Sequence, residues 1–446
     1  MLWLFMTIIS VFIDFRLNTA FCIKFYKLSK EENAKNLYVV ILFNFLAAIL
    51  VYLLWIAFPE IVSRFLQIPV SPHEINIICL IGLSSVTSKL FTSLLVVTKE
   101  PKKYFLFSII STVVLIPACL VFLFVMHYGY HSYFYGHLAA FGALSIFGFF
   151  HIQKKIPADI NKLWSFKNLK ELMVLSLPLI PDAFLMMLLA SAGRYFLNIY
   201  HGLTLVAVYS VGYMFASAFN TLILAPLGQA ISPILYEKYA MAEDLGCRFL
   251  ESLLKYYWVV LLTIILAGYT CFNEVFPLMV GKNYLEALNI ILILMLGMVI
   301  SGGASLLSLM IIVKEKTHLV FIITFFSVVV NIVASRLLIP SWALYGAAVA
   351  GLMGYLFQAL LVTLFTLRMI RIDLNIWFLS KFLIAVVFAT LGYILIAQLP
   401  VSVYYQVMLK MVVFSLYMVA LNRLIGIKRL LGRLYRDNYP TVLKPL

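Results

Sequence analysis

The sequence predicts an all-α polytopic membrane protein built from two helical bundles related by a pseudo-twofold axis, and three observations carry that prediction. Of the 446 residues, 64% are hydrophobic and only 11% are charged, too few polar side chains to cover a water-soluble globule. Apolar runs of bilayer-crossing length, roughly 20 residues, recur along the whole chain. The two halves of the chain also repeat one another. A soluble enzyme is excluded from the outset.

Bounded by charges, Pro or Gly, the runs fall at 1–23, 37–58, 76–97, 104–126, 132–152, 171–199, 203–233, 255–276, 286–312, 318–339, 343–367, 376–398 and 404–422, about thirteen transmembrane helices. The opening MLWLFMTIISVFIDF has neither a basic n-region nor a small-residue cleavage site, so no cleaved signal is expected and the helices direct insertion. Lys and Arg alternate between links. One side receives Lys24, Lys27, Lys30 and Lys35, then Lys99, Lys102 and Lys103, then Lys154, Lys155, Lys162, Lys167 and Lys170. The same side takes Lys238, Arg248, Lys255, Lys314, Lys316, Arg368, Arg371, Lys381 and the tail cations from Arg423 to Lys444. The other side has only Arg64, Lys282 and Arg336. Positive residues in short links resist translocation, so the basic side is expected to be cytoplasmic, with the C-terminus inside and the N-terminus outside. The net charge of +15 is thus a topology signal and not a nucleic-acid footprint. Cys22, Cys79, Cys119, Cys247 and Cys271 lie in or beside apolar stretches without metal-like spacing, and no metal site or cofactor is expected.

The repeat rests on matched segments. FPEIV from Phe58 pairs with FNEVF from Phe272 at an offset of 214, and VTKEPKKYFLFSIIS from Val97 pairs with VKEKTHLVFIITFFS from Val313 at about the same spacing. Lys24 and Phe25 pair with Lys238 and Tyr239, and Tyr135-Gly136 with Tyr345-Gly346. This is a tandem duplication. Six spans per offset give both copies one orientation, so the axis relating them runs along the membrane normal. The second copy starts near Glu171, which puts the start of the first before Met1. The first helix of the first repeat is therefore expected to be missing. The expected organisation is an N-terminal bundle at 1–152, a cytoplasmic linker at 153–170, a C-terminal bundle at 171–369, two additional helices at 370–422 and a basic tail at 423–446.

Three stretches carry a family resemblance. LLIPSWALYGAAVAGLMGYL from Leu337 to Leu356, RYFLNIYHGLTLVAVYSVGYMFAS from Arg194 to Ser217 and DFRLNTAFCIKFY from Asp14 to Tyr26 resemble, in the right order, segments of polysaccharide-repeat flippases. These are the Wzx-type O-antigen translocases of the multidrug/oligosaccharidyl-lipid/polysaccharide exporter superfamily. Gly193 stands where that family commonly has Asp, and Arg16 where a Gly is common. The resemblance implies a MATE-like fold in the bacterial cytoplasmic membrane. It also implies transport of undecaprenyl-diphosphate-linked oligosaccharide units to the outer leaflet for surface polysaccharide, either O-antigen or capsule. Lipid-linked oligosaccharide and membrane lipids are the implied partners, with a polysaccharide polymerase as a candidate partner.

A diphosphate crossing a region of low dielectric needs fixed cations in place of its water shell. The ionisable residues inside apolar runs are Asp14, Arg16, Lys89, Asp182, Arg194, Arg336 and Lys410. Arg194, Lys89, Arg16, Arg336 and Lys410 are the candidate cavity cations; Asp182 and Asp14 are candidate coupling carboxylates. Two readings of Arg194 stand: a cavity cation, or a side chain snorkelling to the outer interface. Lys89 follows Ser84, Ser85, Thr87 and Ser88, a polar face that lines water or protein; its competing reading is a reach toward the basic link at Lys99. Asp182 follows Pro178 and Pro181, which remove backbone donors and loosen the helix. It is either an ion or proton site or a local partner for a hydroxyl or a lysine. Gly346, Ala350 and Gly354 recur at every fourth position, a smooth stripe for close helix approach.

No phosphate-binding Gly-rich loop, HExxH or CxxC occurs, so the expectation is a transporter and not an enzyme. Two alternatives remain: an organic-cation exporter of the same superfamily, whose cavity would be dominated by carboxylates, and a membrane-embedded polysaccharide polymerase or ligase, which would need a sizeable catalytic outer loop.

Overall fold

A computed structural model describes residues 9–57, 72–129, 131–153, 165–370, 376–397, 399 and 403–425. The expectations for the first residues, the link after Phe58, most of the 153–170 linker and the basic tail fall outside these. Every element among the described residues is helical.

Fourteen α-helices follow in order: α1 (Leu17–Lys24), α2 (Lys30–Ala57), α3 (Pro72–Val97), α4 (Pro101–Leu120), α5 (His131–Gln153), α6 (Phe166–Ser176) and α7 (Leu179–His201). Then come α8 (Leu203–Phe219), α9 (Ala225–Met241), α10 (Glu243–Met279), α11 (Leu288–Val313), α12 (Thr317–Met369), α13 (Ile376–Ala397) and α14 (Val403–Ile425). Nine helical stretches among the described residues are long and apolar enough to cross a membrane, so the chain is an integral membrane protein. The fourth helix shows why lipid must be its solvent. None of its residues is buried, yet it exposes Phe105, Leu106, Val113 and Ile116, a surface that water would not tolerate.

Helix ends depart from the predicted spans where polar turns extend the helix out of the apolar run. The α2 helix starts at Lys30, not at residue 37, because Ser29 and Glu32 form a reciprocal cap: Glu32 N donates to Ser29 Oγ at 3.3 Å and Ser29 N donates to Glu32 Oε2 at 3.1 Å. Likewise α10 starts at Glu243, twelve residues before the predicted 255, on an acidic first turn that suits a helix N-terminus. The predicted span 171–199 is divided. Helix α6 ends at Ser176, and Pro178, which has no N–H to donate, separates it from α7. With Leu169, Leu172 and Leu175 buried and Lys167, Lys170 and Glu171 exposed, α6 is an amphipathic helix.

The two predicted spans 318–339 and 343–367 form one hairpin. Its 53 residues would reach about 80 Å if straight, but the backbone turns at Ala343 (φ 43°, ψ −116°). The returning arm packs on the outgoing one. Asn331 Nδ2 donates to Ala350 O at 2.9 Å, and a Cβ at Gly346 would lie 2.5 Å from Leu338 O. The smooth stripe is therefore a helix contact, as predicted.

The duplication is written in backbone hydrogen bonds. Helix α3 ends with Lys99 N donating to Val96 O (3.1 Å) and Glu100 N to Leu95 O (2.9 Å). At positions 216 residues later, α11 ends with Glu315 N donating to Ile312 O (2.8 Å) and Lys316 N to Ile311 O (3.1 Å). Both are Schellman endings, in which the residue after the cap adopts the left-handed conformation. That residue is Lys99 at φ 56° in one copy and Glu315 at φ 60° in the other. Glycine is usual here because a side chain in this conformation costs roughly 1 kcal/mol. This chain places charged side chains at both corners.

The chain packs as two compact units, one of Met1–Leu189, Pro226–Gly246 and Ser308–Val328, the other of Ala190–Ala225, Cys247–Leu307 and Val329–Leu446. In the first, α3 packs on α2 and α5, α5 also on α4, and α1 on α2, α3 and α6. The serines preceding Lys89 serve as ties between these helices. Ser88 Oγ donates to Phe141 O (3.0 Å), Ser145 Oγ donates to Ser84 O (2.7 Å), and Ser85 Oγ meets Ser10 Oγ (3.0 Å). In the second unit, Tyr257 Oη of α10 donates to Val299 O of α11 at 2.7 Å in a buried setting. Tyr257→Phe is expected to lower unfolding stability by about 1 kcal/mol, read as a drop in thermal midpoint in detergent with the helix content unchanged.

Candidate functional site

Charged residues collect in each unit. In the first, the opening helix is interrupted. Residues 9–14 are helical, Phe15 and Arg16 take left-handed conformations (φ 46° and 56°), and α1 resumes at Leu17. Asp14 and Arg16 flank this break. Interrupted helices free backbone groups inside a membrane and are tolerated where protein or water satisfies them. Asp14 is buried, at 8% exposure, and accepts a long bond from Asn18 N (3.4 Å). It feels the positive charges of Lys89 first and Arg16 second.

Lys89 is exposed while Ser85, Ser88 and Leu90 around it on α3 are buried. Its ammonium is within electrostatic reach of Asp14. The carboxylate of Asp182, near the start of α7, has Thr324 of α12 beside it and Arg16 within electrostatic reach. The Thr324 hydroxyl itself donates to Val320 O (3.0 Å), and Asp182 Oδ1 is buried with no protein donor on it. Arg16 Nε is likewise buried without an acceptor among the described residues. Two carboxylates and two cations, drawn from the first helical segments, α3 and α7, are thus within electrostatic reach of one another, Arg16 of both carboxylates and Lys89 of Asp14. Lys89→Ala is expected to cost about 1 kcal/mol of thermal stability because Asp14 loses its principal countercharge. Adding Asp14→Asn should return part of that loss, since neighbouring charges are not additive; the melting temperatures of both variants provide the check.

In the second unit Arg194 lies on α7, seven residues or about 10 Å from its end. Its Cζ sits 4.2 Å from the ring centroid of Tyr213 on α8, a cation–π contact worth about 1–2 kcal/mol when desolvated. Tyr213 is ten residues into α8, so the guanidinium is drawn alongside the middle of that helix and does not extend to its end. The Tyr209 ring stacks on Tyr213 (centroids 6.3 Å, 27°), and the Tyr209 hydroxyl lies 3.1 Å from where a Cβ on Gly193 would stand. Gly193 therefore makes room for Tyr209. Arg194 Nε is buried and meets no acceptor among the described residues.

The structure thus brings Asp14, Arg16, Lys89 and Asp182 together and sets Arg194 among tyrosines in the other unit. Arg336 is exposed on α12. Lys410, at 1% exposure, is enclosed on α14, which packs against α13. Sequence reasoning missed Thr324, Tyr209 and Tyr213. The last two stood four residues apart, a spacing that puts both on one helix face.

The molecule is thus an integral membrane protein of apolar helices with charges set among them. Among solved structures the chain is similar to a mutant of the MATE transporter VcmN of Vibrio cholerae (TM-score 0.68, 14% identity, 82% of this chain and 86% of that one). It is also similar to a MOP-superfamily transporter from Pyrococcus furiosus (0.65, 14%, 82% and 85%), and to the lipid II flippase MurJ in an inward closed conformation (0.58, 18%, 94% and 92%). At such identities the shared property is the fold, and it is the MATE-like fold predicted. Residues 1–289 match the family described as polysaccharide biosynthesis protein, and the chain belongs to that family. No curated protein matches the sequence.

Proposed function

We propose that this transporter moves undecaprenyl-diphosphate-linked oligosaccharide units across the bacterial cytoplasmic membrane by alternating access through a cationic cavity, for surface polysaccharide assembly. The observation that carries the reading is Arg194: a half-buried guanidinium set against Tyr213 in the second unit, whose Nε is buried and meets no acceptor among the described residues. Enclosing a guanidinium nitrogen without an acceptor is costly, and a substrate diphosphate would offset that cost. Arg16 and Lys89 lend further positive charge from the first unit, where Asp14 and Asp182 are placed to take the coupling Na⁺ or proton. The family and the lipid-linked substrate named for MurJ support a lipid-linked cargo. The exporter alternative would place carboxylates where Arg194 stands.

A leaflet-access assay in proteoliposomes with lipid-linked oligosaccharide tests the proposal. Wild type should expose the glycan to the opposite leaflet. Asp182→Asn should slow this by about tenfold and remove its dependence on an imposed Na⁺ or proton gradient. Full-rate export of an organic cation with no glycan transfer would overturn the reading.

A further inference from the structure

We propose that the basic end of the molecule is closed by a gate of two ion pairs, each anchored at one of the two equivalent left-handed corners of the repeat, with the corner charge reversed between them. This inference rests on the alternating-access reading and names the contacts that hold one of its states.

One pair joins Lys27, just beyond α1, to Glu315, at the corner after α11, with 2.8 Å between Nζ and Oε1. The other joins Glu237, near the end of α9, to Lys99, at the corner after α3. The repeat equates α1 with α9 through Lys24 and Lys238, and α3 with α11 through Val97 and Val313. The two pairs therefore use equivalent corners, Lys99 and Glu315, while their partners Glu237 and Lys27 stand about one helical turn apart in the register of α1 and α9. Lysine at an α1 end meets glutamate at an α11 end; glutamate at an α9 end meets lysine at an α3 end.

The helix ends are tied by further bonds. Tyr26 Oη donates to Val97 O (2.6 Å) and Lys27 Nζ to Val313 O (3.1 Å), the equivalent carbonyls of the two copies. Tyr104 Oη is bonded to the Gln229 side chain. Beneath the ionic layer lies an apolar one, in which Ile23, Tyr236 and Val313 are buried together with Cys22, Tyr26, Tyr239, Leu309 and Ile312 packed around them. All of these residues belong to the first unit.

The backbone argues that the side chains matter. Lys99 and Glu315 occupy the two left-handed corners where glycine is usual. A residue with a side chain is retained at both corners, and each side chain makes a gate ion pair. The pairs are half-exposed, with Lys99 and Glu237 at 48% and 27%, so each is weak and screened by salt. A gate of this strength can open in each cycle.

The test uses Cys22 as reporter in the full-length chain, with Cys79, Cys119, Cys247 and Cys271 changed to Ser, in lipid nanodiscs without substrate. The measurement is the rate of alkylation by a water-soluble maleimide. Lys99→Gly with Glu315→Gly suits the left-handed corners and removes both pairs, so Cys22 should react about 3–10-fold faster. Lys27→Glu should also speed labelling, and Lys27→Glu with Glu315→Lys should restore the slow rate. Labelling unchanged in the double glycine variant, or a swapped pair that stays fast, would overturn the gate. Because no cargo is present, an intact gate response beside absent glycan transfer would sink the transport reading and leave the gate standing.

Discussion

Arg194→Ala is expected to slow transfer of lipid-linked oligosaccharide by roughly 10–100-fold, the range set by losing a charge-assisted hydrogen bond in a dry setting. Arg194→Lys should recover only part of the rate, because an ammonium lacks the planar stack on Tyr213 and the second donor edge. The proteoliposome assay with fixed protein amount separates this from folding, provided both variants elute and melt as wild type does. Tyr213→Leu should weaken transport less than Arg194→Ala, since it releases the guanidinium without removing it. Full activity of Arg194→Ala would refute the role assigned to this residue.

Gly346→Val should be the most damaging single change to the fold. A Cβ there meets Leu338 O at 2.5 Å and Ile339 Cα at 2.9 Å, backbone atoms that cannot rotate away, so the hairpin arms must separate. Overpacking of this kind costs about 3 kcal/mol, and the two arms would also lose the Asn331 bond to Ala350 O. The variant should express poorly and melt well below wild type. Gly351→Val, at a position with nothing within 4 Å of the added Cβ, should be nearly silent and serves as the control.

Much of this architecture was legible because lipid imposes length and composition directly. The spans, the duplication and the turn between Pro340 and Gly346 all follow from runs of apolar residues and their interruptions. The break between α6 and α7 was signalled by Pro178, but nothing in the spacing showed that α6 would become an amphipathic segment of its own. The charged cluster was half legible. Asp14, Arg16, Lys89 and Asp182 stand out as charges in apolar runs, but their convergence depends on helix packing, which a linear pattern does not encode. The ion pairs at the basic end went unread for a simpler reason. Lysines there announce orientation, and Glu237 and Glu315 were ordinary loop carboxylates until the structure put Lys99 and Lys27 beside them.

The lipid-facing side of α4 has a consequence for how this gene can drift. A helix face that meets only lipid answers to oil, and oil does not distinguish Leu from Ile, Val or Phe. Along Phe105, Leu106, Val113 and Ile116, exchanges among these types should accumulate almost neutrally between species. A library that scrambles their order should still yield inserted, working protein, whereas the same shuffling in α3 should not.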